Sequence, residues 1–303
     1  MSVAEWLMNF AQRIPAPAQI QRHHDALVDR LSQHSSNYRD PVQTVPWESL
    51  DAETAWLPEE LLSLYGLPEY AQLSQDERIR LSQVEFVSFC ELGLWLEALF
   101  IQRLGANSLQ EMYRDPVSYH YQLQELREEV GHSLMFLELQ QRSQLPFMTP
   151  LSKRPPLARL FARYAPEGSA AFWATILIGE NVPDRMNRLI FAHKYLPAAV
   201  LAITHIHMRE EARHMAFART TIQMRSQAMG RAQKRLISPV LREVFRQFLR
   251  TSFFPSEQVY AAAGLSDPRI WARRVRHNPH RINLMNQCAA PSRDFLRTQG
   301  FAL

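Results

Sequence analysis

Two glutamates sit alone inside nearly apolar stretches, and each is followed about thirty residues later by a Glu-x-x-His pair. Glu97 lies in Leu94-Trp95-Leu96-Glu97-Ala98-Leu99-Phe100, and Glu180 closes Thr175-Ile176-Leu177-Ile178-Gly179-Glu180. The pairs are Glu129-Val130-Gly131-His132 and Glu211-Ala212-Arg213-His214. Glu97 and Glu129 are 32 positions apart (129 − 97), and Glu180 and Glu211 are 31 (211 − 180). That length suits a helix, a turn and an antiparallel helix returning to the same level. An isolated carboxylate in an apolar helix is costly unless it is paired or metal-bound, so Glu97 and Glu180 need a reason to be there.

Residues three apart on a helix share a face. Each pair therefore offers a carboxylate oxygen and an imidazole nitrogen to one metal ion. Two such helices, with a lone Glu from each of two more, form the ligand set of a di-iron or di-manganese four-helix bundle. With 11 His in the chain, on the order of one such pair is expected by chance. Only His132 and His214 have Glu three residues before them, and the recurrence with buried-looking partners favours the metal reading. Four carboxylates balance the charge of two ferrous ions, which matters in a low-dielectric core. Mixed oxygen and nitrogen ligation leaves positions for O2. Iron is the first choice and manganese the second.

His207 is a seventh candidate. With Glu211 and His214 it occupies angular positions of roughly 0°, 400° and 700° on a helix of 3.6 residues per turn, one stripe about 60° wide. His193 and His205 fall off that stripe and read as structural. Glu128 and Glu210 point about 100° from the adjacent candidates and read as solvent or ion-pair residues.

The element His207-x-x-x-Glu211-x-x-His214, preceded by Glu180 and by Glu129-x-x-His132-Ser133-Leu134-Met135, resembles the p-aminobenzoate N-oxygenase family. Those are ferritin-like di-iron enzymes that oxidise amines to hydroxylamine, nitroso or nitro products. The resemblance spans roughly residues 76 to 225 and is most specific on the last of these helices, where His207 matches the family's extra histidine. It implies seven ligands: Glu97, Glu129, His132, Glu180, His207, Glu211 and His214. Glu91 competes with Glu97 on the same helix; Glu97 gives the spacing nearer to that of Glu180 and Glu211. The resemblance also implies two iron ions, O2, an amine substrate and an external electron donor or reductase. Arg185 is a candidate partner for a substrate carboxylate. The alternatives are a di-iron hydroxylase or desaturase acting on C–H bonds, and a metal-free helical interaction protein.

The rest of the chain agrees with an all-α fold: a ferritin-like four-helix bundle with flanking helices. It has 303 residues, 46% hydrophobic content and only 9 Gly, enough for a sizeable core. Residues 1–75 read as a helical arm and a proline-dotted wrapping segment, 76–230 as the bundle, and 231–303 as helices packed on it in one continuous domain. Ser74-Gln75-Asp76-Glu77 is a capping-box pattern, starting a helix that runs to about residue 104. Helices are expected over about 116–142, 168–195, 197–229, 233–252, 255–264, 267–276 and 290–298. Pro183 predicts a kink or bulge beside Glu180.

Net charge is +4, with Arg interspersed among Glu as in Arg209-Glu210-Glu211-Ala212-Arg213. That argues for a salt-bridged surface and against a nucleic-acid stripe. No nucleotide or phosphate fingerprint occurs. Two Cys make no disulfide framework and suit a reducing cytoplasm. Met1 to Pro15 lacks a signal-peptide pattern, and no apolar run reaches bilayer length. The expectation is a soluble cytoplasmic protein, with a homodimer left open.

Overall fold

The computed structural model describes residues 18–165 and 168–303, side chains at 107–111, 114, 161 and 162 excepted. The expectation for Met1 to Pro15 lies outside the described residues. Every regular element among those described is helical: α1 Ala18–Ser35, α2 Pro41–Thr44, α3 Gln75–Arg114, α4 Pro116–Ser143, α5 Pro156–Tyr164, α6 Ala170–Phe191, α7 Ala198–Gln227, α8 Arg231–Phe253, α9 Glu257–Ala262, α10 Pro268–Arg274 and α11 Pro279–Thr298.

The bundle is two long hairpins. α3 packs along α4, and α6 packs along α7. The capping box starts α3: Ser74 N donates to Glu77 Oε2 (2.8 Å), and Glu77 N donates to Ser74 Oγ (3.2 Å). α3 runs ten residues past the expected end. Gly105 does not stop it, because one glycine costs a helix only about 1 kcal/mol. The break comes at Asp115, where the following Pro116 disfavours helical backbone. Asp115 sits at φ −151°, and its carboxylate caps α4 by accepting from Ser118 N (3.1 Å). Ser169 caps α6 in the same way, accepting from Phe172 N (3.2 Å).

Pro183 does not produce the expected bulge. α6 is continuous α-helix through Val182, Pro183 and Asp184, all buried. A proline forfeits one backbone bond, and the helix continues through it nonetheless. Similarly, α11 starts at Pro279 and runs through Pro291, so it is eleven residues longer at its front than expected. Asn278 supplies the missing start signal, accepting from His280 N (3.1 Å). The proline-rich connection after α4 holds a further short helix, α5.

The remaining pieces enclose the hairpins. Residues 36–74 run mostly in short turns and bury Trp47, Trp56, Leu64 and Tyr70 in the core. α1 lies against α4 and α7; α8 and α11 lie against α6; and α9 meets α3. Cys90 and Cys288 are both buried and unbridged. Among the described residues no helix is long and apolar enough to cross a membrane.

Candidate metal centre

α3, α4, α6 and α7 each turn one or more acidic or imidazole side chains into the same buried space. Glu97, Glu129, His132, Glu180, His207, Glu211 and His214 are all at most 7% exposed. Their donor atoms fall into three overlapping groups within 4.8 Å of one another: Glu97, His132, His207 and Glu211; Glu129, Glu211 and His214; and Glu97, Glu129 and Glu180. Glu97, Glu129 and Glu211 each belong to two groups. The structure thus brings together all seven residues singled out in the sequence.

The details suit cations at the centre of these groups. His132 presents Nδ1 to Glu129 Oε2 (3.2 Å) and Glu211 Oε1 (3.4 Å). His214 presents Nδ1 to Glu129 Oε1 (2.9 Å) and Glu211 Oε2 (3.3 Å). His207 presents Nε2 to Glu97 Oε1 and Glu211 Oε1, both at 3.2 Å. Yet Glu129 Oε1, both Glu211 oxygens and His214 Nδ1 have no hydrogen-bond partner of good geometry. Buried polar atoms that approach closely without bonding one another are aimed at shared points, as metal ligands are. The donor set of carboxylates and imidazoles fits iron or manganese.

The outward nitrogens are also held. His132 Nε2 meets Glu210 Oε2 at 3.0 Å, and His214 Nε2 meets Glu128 Oε2 at 2.9 Å. Each pairing crosses between α4 and α7. Glu128 and Glu210 are fully buried, which corrects the reading of them as possible solvent residues. They do form ion pairs, with Arg213 (2.8 Å) and Arg209 (3.0 Å). Pointing 100° away from the ligand stripe turns each toward the other helix, not toward water. A carboxylate on the far imidazole nitrogen fixes the tautomer and strengthens the metal-facing nitrogen. The signal was present in the sequence as a doubled Arg-Glu-Glu-x-x-His, at Arg127–His132 and Arg209–His214. The Asn187 side-chain amide nitrogen lies 2.8 Å from His207 Nδ1 and fixes the orientation of the third imidazole.

Electrostatics show what the cluster lacks. Burial, then the charge of Glu129, pushes Glu97 well above the usual carboxylate range; burial, then Glu211, does so for Glu180. Burial and Glu211 also push on Glu129, but His214 and His132 overcome both and hold it at about 2. Burial opposes protonation of His207, yet the Glu211 charge and hydrogen bond lift it to about 9. Without metal, protons supply the positive charge that so many buried carboxylates demand, and metal binding would displace them.

The other candidates go elsewhere. Glu91 is buried but spent: it accepts from Arg154 (2.6 Å), Met148 N (2.7 Å) and Thr149 N (3.0 Å), anchoring the connection after α4. Arg185 is exposed, so it does not reach the centre. His205 is exposed and stacks on Phe191, and His193 pairs with Glu60. Two glycines permit close packing beside the imidazoles. A Cβ at Gly131 would collide with the Tyr38 hydroxyl, and one at Gly93 would come within 2.8 Å of Phe136, whose ring packs on His207.

Comparisons with known proteins agree with this geometry. An uncharacterized protein of Mycobacterium tuberculosis, Rv0885, is 28% identical over 209 residues, 66% of this chain and 60% of its own length. Uncharacterized protein Mb0909 of Mycobacterium bovis matches equally well. The chain thus spans about three fifths of the length of these curated relatives. Among solved structures, two mutant forms of an R2-like ligand-binding oxidase with anaerobically reconstituted Mn/Fe cofactor share the fold. One has a TM-score of 0.53 at 16% identity, covering 88% of this chain and 92% of that one. The other has 0.54 at 15%, covering 92% and 93%. The family described as P-aminobenzoate N-oxygenase AurF matches residues 21–300, nearly the whole chain, and this ferritin-like helical protein belongs to that family.

Proposed function

We propose that the chain is a non-haem dimetal oxygenase that uses O2 to N-oxygenate an amine. The observation that carries this reading is the convergence of His207 on Glu97 and Glu211, which adds a third imidazole to the usual four-carboxylate, two-histidine set. Glu97, His132 and His207 would hold one ion, Glu180 and His214 the other, with Glu129 and Glu211 between them. Bound there, the metals would supply electrons and coordination positions for O2; the protein positions and encloses. Family membership supports amine oxidation, and the Mn/Fe cofactor of the structural neighbours keeps manganese in view beside iron.

The chain's own residues add two features. Glu128, Glu210 and Asn187 keep each imidazole in one orientation. A small apolar cavity of about 60 Å³ ends at Glu180, lined by Leu96, Leu99, Phe172, Ile176 and Phe248 among others. It would receive O2 or the apolar part of a substrate and exclude water. Electrons would come from an external reductant, since no nucleotide or flavin fingerprint occurs in the sequence.

The test is metal analysis of the purified protein, then anaerobic ferrous loading and O2 exposure with a panel of aryl and alkyl amines. Mass spectrometry should show hydroxylamine, nitroso or nitro products that disappear in His207→Ala. Products oxidised only at carbon would replace this reading with that of a C–H oxidase.

A further inference from the structure

α4 turns Glu129 and His132 inward, and its outer face is apolar where a surface helix ordinarily meets water with polar side chains. Leu123, Val130, Leu134 and Leu137 are 43, 42, 51 and 37% exposed, with half-buried Leu126 among them. At 3.6 residues per turn the five fall within about 80° of one another, so they form one stripe. The outer face of α7, which also carries a Glu-x-x-His pair, instead presents His205, Arg209, Ala212 and Gln223. A contiguous exposed apolar patch marks an interaction surface. A groove of about 410 Å³ runs along the stripe, lined also by Gly131, Tyr38 and Asp40. Arg127, at the edge, is turned back: it donates to the Ser35 carbonyl (2.6 Å) and lies over the Tyr38 ring (4.6 Å).

The stripe is symmetric about its own midpoint. Leu123 and Leu137 each lie seven residues from Val130, and Leu126 and Leu134 each lie four. Two copies of α4 crossing antiparallel at Val130 therefore set Leu123 against the partner's Leu137, Leu126 against the partner's Leu134, and Val130 against the partner's Val130. A two-fold axis requires this self-complementarity, and a partner of another sequence has no use for it. The seven-residue repeat of Leu123, Val130 and Leu137 is the spacing that keeps two packed helices in contact along their length. The same crossing brings the start of one α4, where Tyr113 is 79% exposed, beside the end of the other, where Phe147 is 59% exposed.

The available area agrees. The stripe offers on the order of 300 Å² of apolar surface, and Tyr113 and Phe147 together add about 300 Å². A standard interface takes about 800 Å² from each partner, a little over half of it apolar.

We infer that the outer face of α4 is a dimer interface, closed by a second copy of this chain across a two-fold axis at Val130. The inference is independent of the chemistry proposed at the metals. It sets the two metal centres back to back, each on the far side of its own α4 from the axis. The contact braces the turn that presents Glu129 and His132, whose Gly131 lies in the groove.

Analytical ultracentrifugation of the full chain, over a range of concentrations, should show a species of twice its 35.2 kDa mass. Two double variants test the register. L123K/L137K sets like charges opposite each other at both ends and should weaken the dimer about 100-fold or more. L123K/L137E sets opposite charges there and should stay dimeric. Both positions are exposed, so each variant should fold, with circular dichroism as the check. Val130→Cys, on the axis, should be joined to its counterpart by a short bis-maleimide, while Gln223→Cys on α7 should not; the native Cys90 and Cys288 are buried. A parent that is monomeric, equal association by the two double variants, or a dimer that Val130→Cys does not cross-link would overturn the inference.

Discussion

The α3–α4 hairpin and the α6–α7 hairpin carry the same motif at nearly the same spacing, and they differ four residues before the inner carboxylate. Each has a lone Glu on its first helix and Arg-Glu-Glu-x-x-His on its second. Each sends the Glu before its inner carboxylate across to the other hairpin's imidazole. Four residues before the inner carboxylate, however, one hairpin has Glu125 and the other His207. His207 is engaged with Glu97, Glu211 and Asn187. Glu125 is fully buried, and neither of its carboxyl oxygens has a partner in the structure. The pseudo-symmetric scaffold therefore builds two unequal halves. One donor group joins two imidazoles with Glu97 and Glu211; the third imidazole, His214, joins only Glu129 and Glu211, and Glu180 borders the apolar cavity. In the dimetal reading proposed above, that one difference between Glu125 and His207 would give one ion more protein donors than the other.

The largest expected effect comes from removing what the halves share. Glu211 belongs to two of the three donor groups, so Glu211→Ala should lose most bound metal from both positions, read by elemental analysis. Loss from one position alone would show that the halves are independent.

The next effect isolates the difference. His207→Ala should weaken metal binding by at least about 10–100-fold, the range seen for groups that merely support ligands. Glu125→Ala should change it only a few-fold. Competition titration with a chelating indicator measures both, and equal losses would erase the proposed asymmetry.

The crossed carboxylates test the symmetry itself. Glu128→Gln and Glu210→Gln should each weaken metal binding by roughly 10-fold, the lower end of the supporting-group range, and by similar amounts. A large inequality would mean that one imidazole depends on its partner more than the other.

The last effect is on stability alone and concerns Glu125 in the metal-free protein. Burial pushes its carboxyl well above the usual range, with His214 opposing. The folded state therefore keeps its proton while the unfolded chain releases it above about pH 4.3. The resulting cost to stability is absent at low pH and grows as pH rises toward the folded value. Glu125→Gln does not titrate and should stabilise the protein by about 1–3 kcal/mol at pH 8, with little gain at pH 4. Urea unfolding in the presence of chelator measures the difference, and a gain that shrinks as pH rises would reverse the sign.

Much of this was legible before folding. The long helices follow from apolar periodicity, and their starts at Gln75 and Pro116 follow from local capping chemistry. The residues that converge were legible too, because a carboxylate buried in an apolar face has few permissible fates. The errors have two causes. The end of α3 before Pro116 and the early start of α11 at Asn278 follow local signals that the expected boundaries passed over, whereas the straight run through Pro183 goes against the local expectation for a proline inside a helix.

By itself, then, the chain's order of residues determined four core helices and the seven side chains that meet between them, because helical spacing and desolvation act within one helix or against its apolar face. Only the tertiary structure decided that Glu128 and Glu210 hold imidazoles, that Glu91 is consumed by Arg154, that Arg185 faces outward, and that the apolar outer face of α4 is exposed. Those outcomes turn on which face of one helix meets which face of another. That information is absent from any single segment and appears only when the hairpins pack.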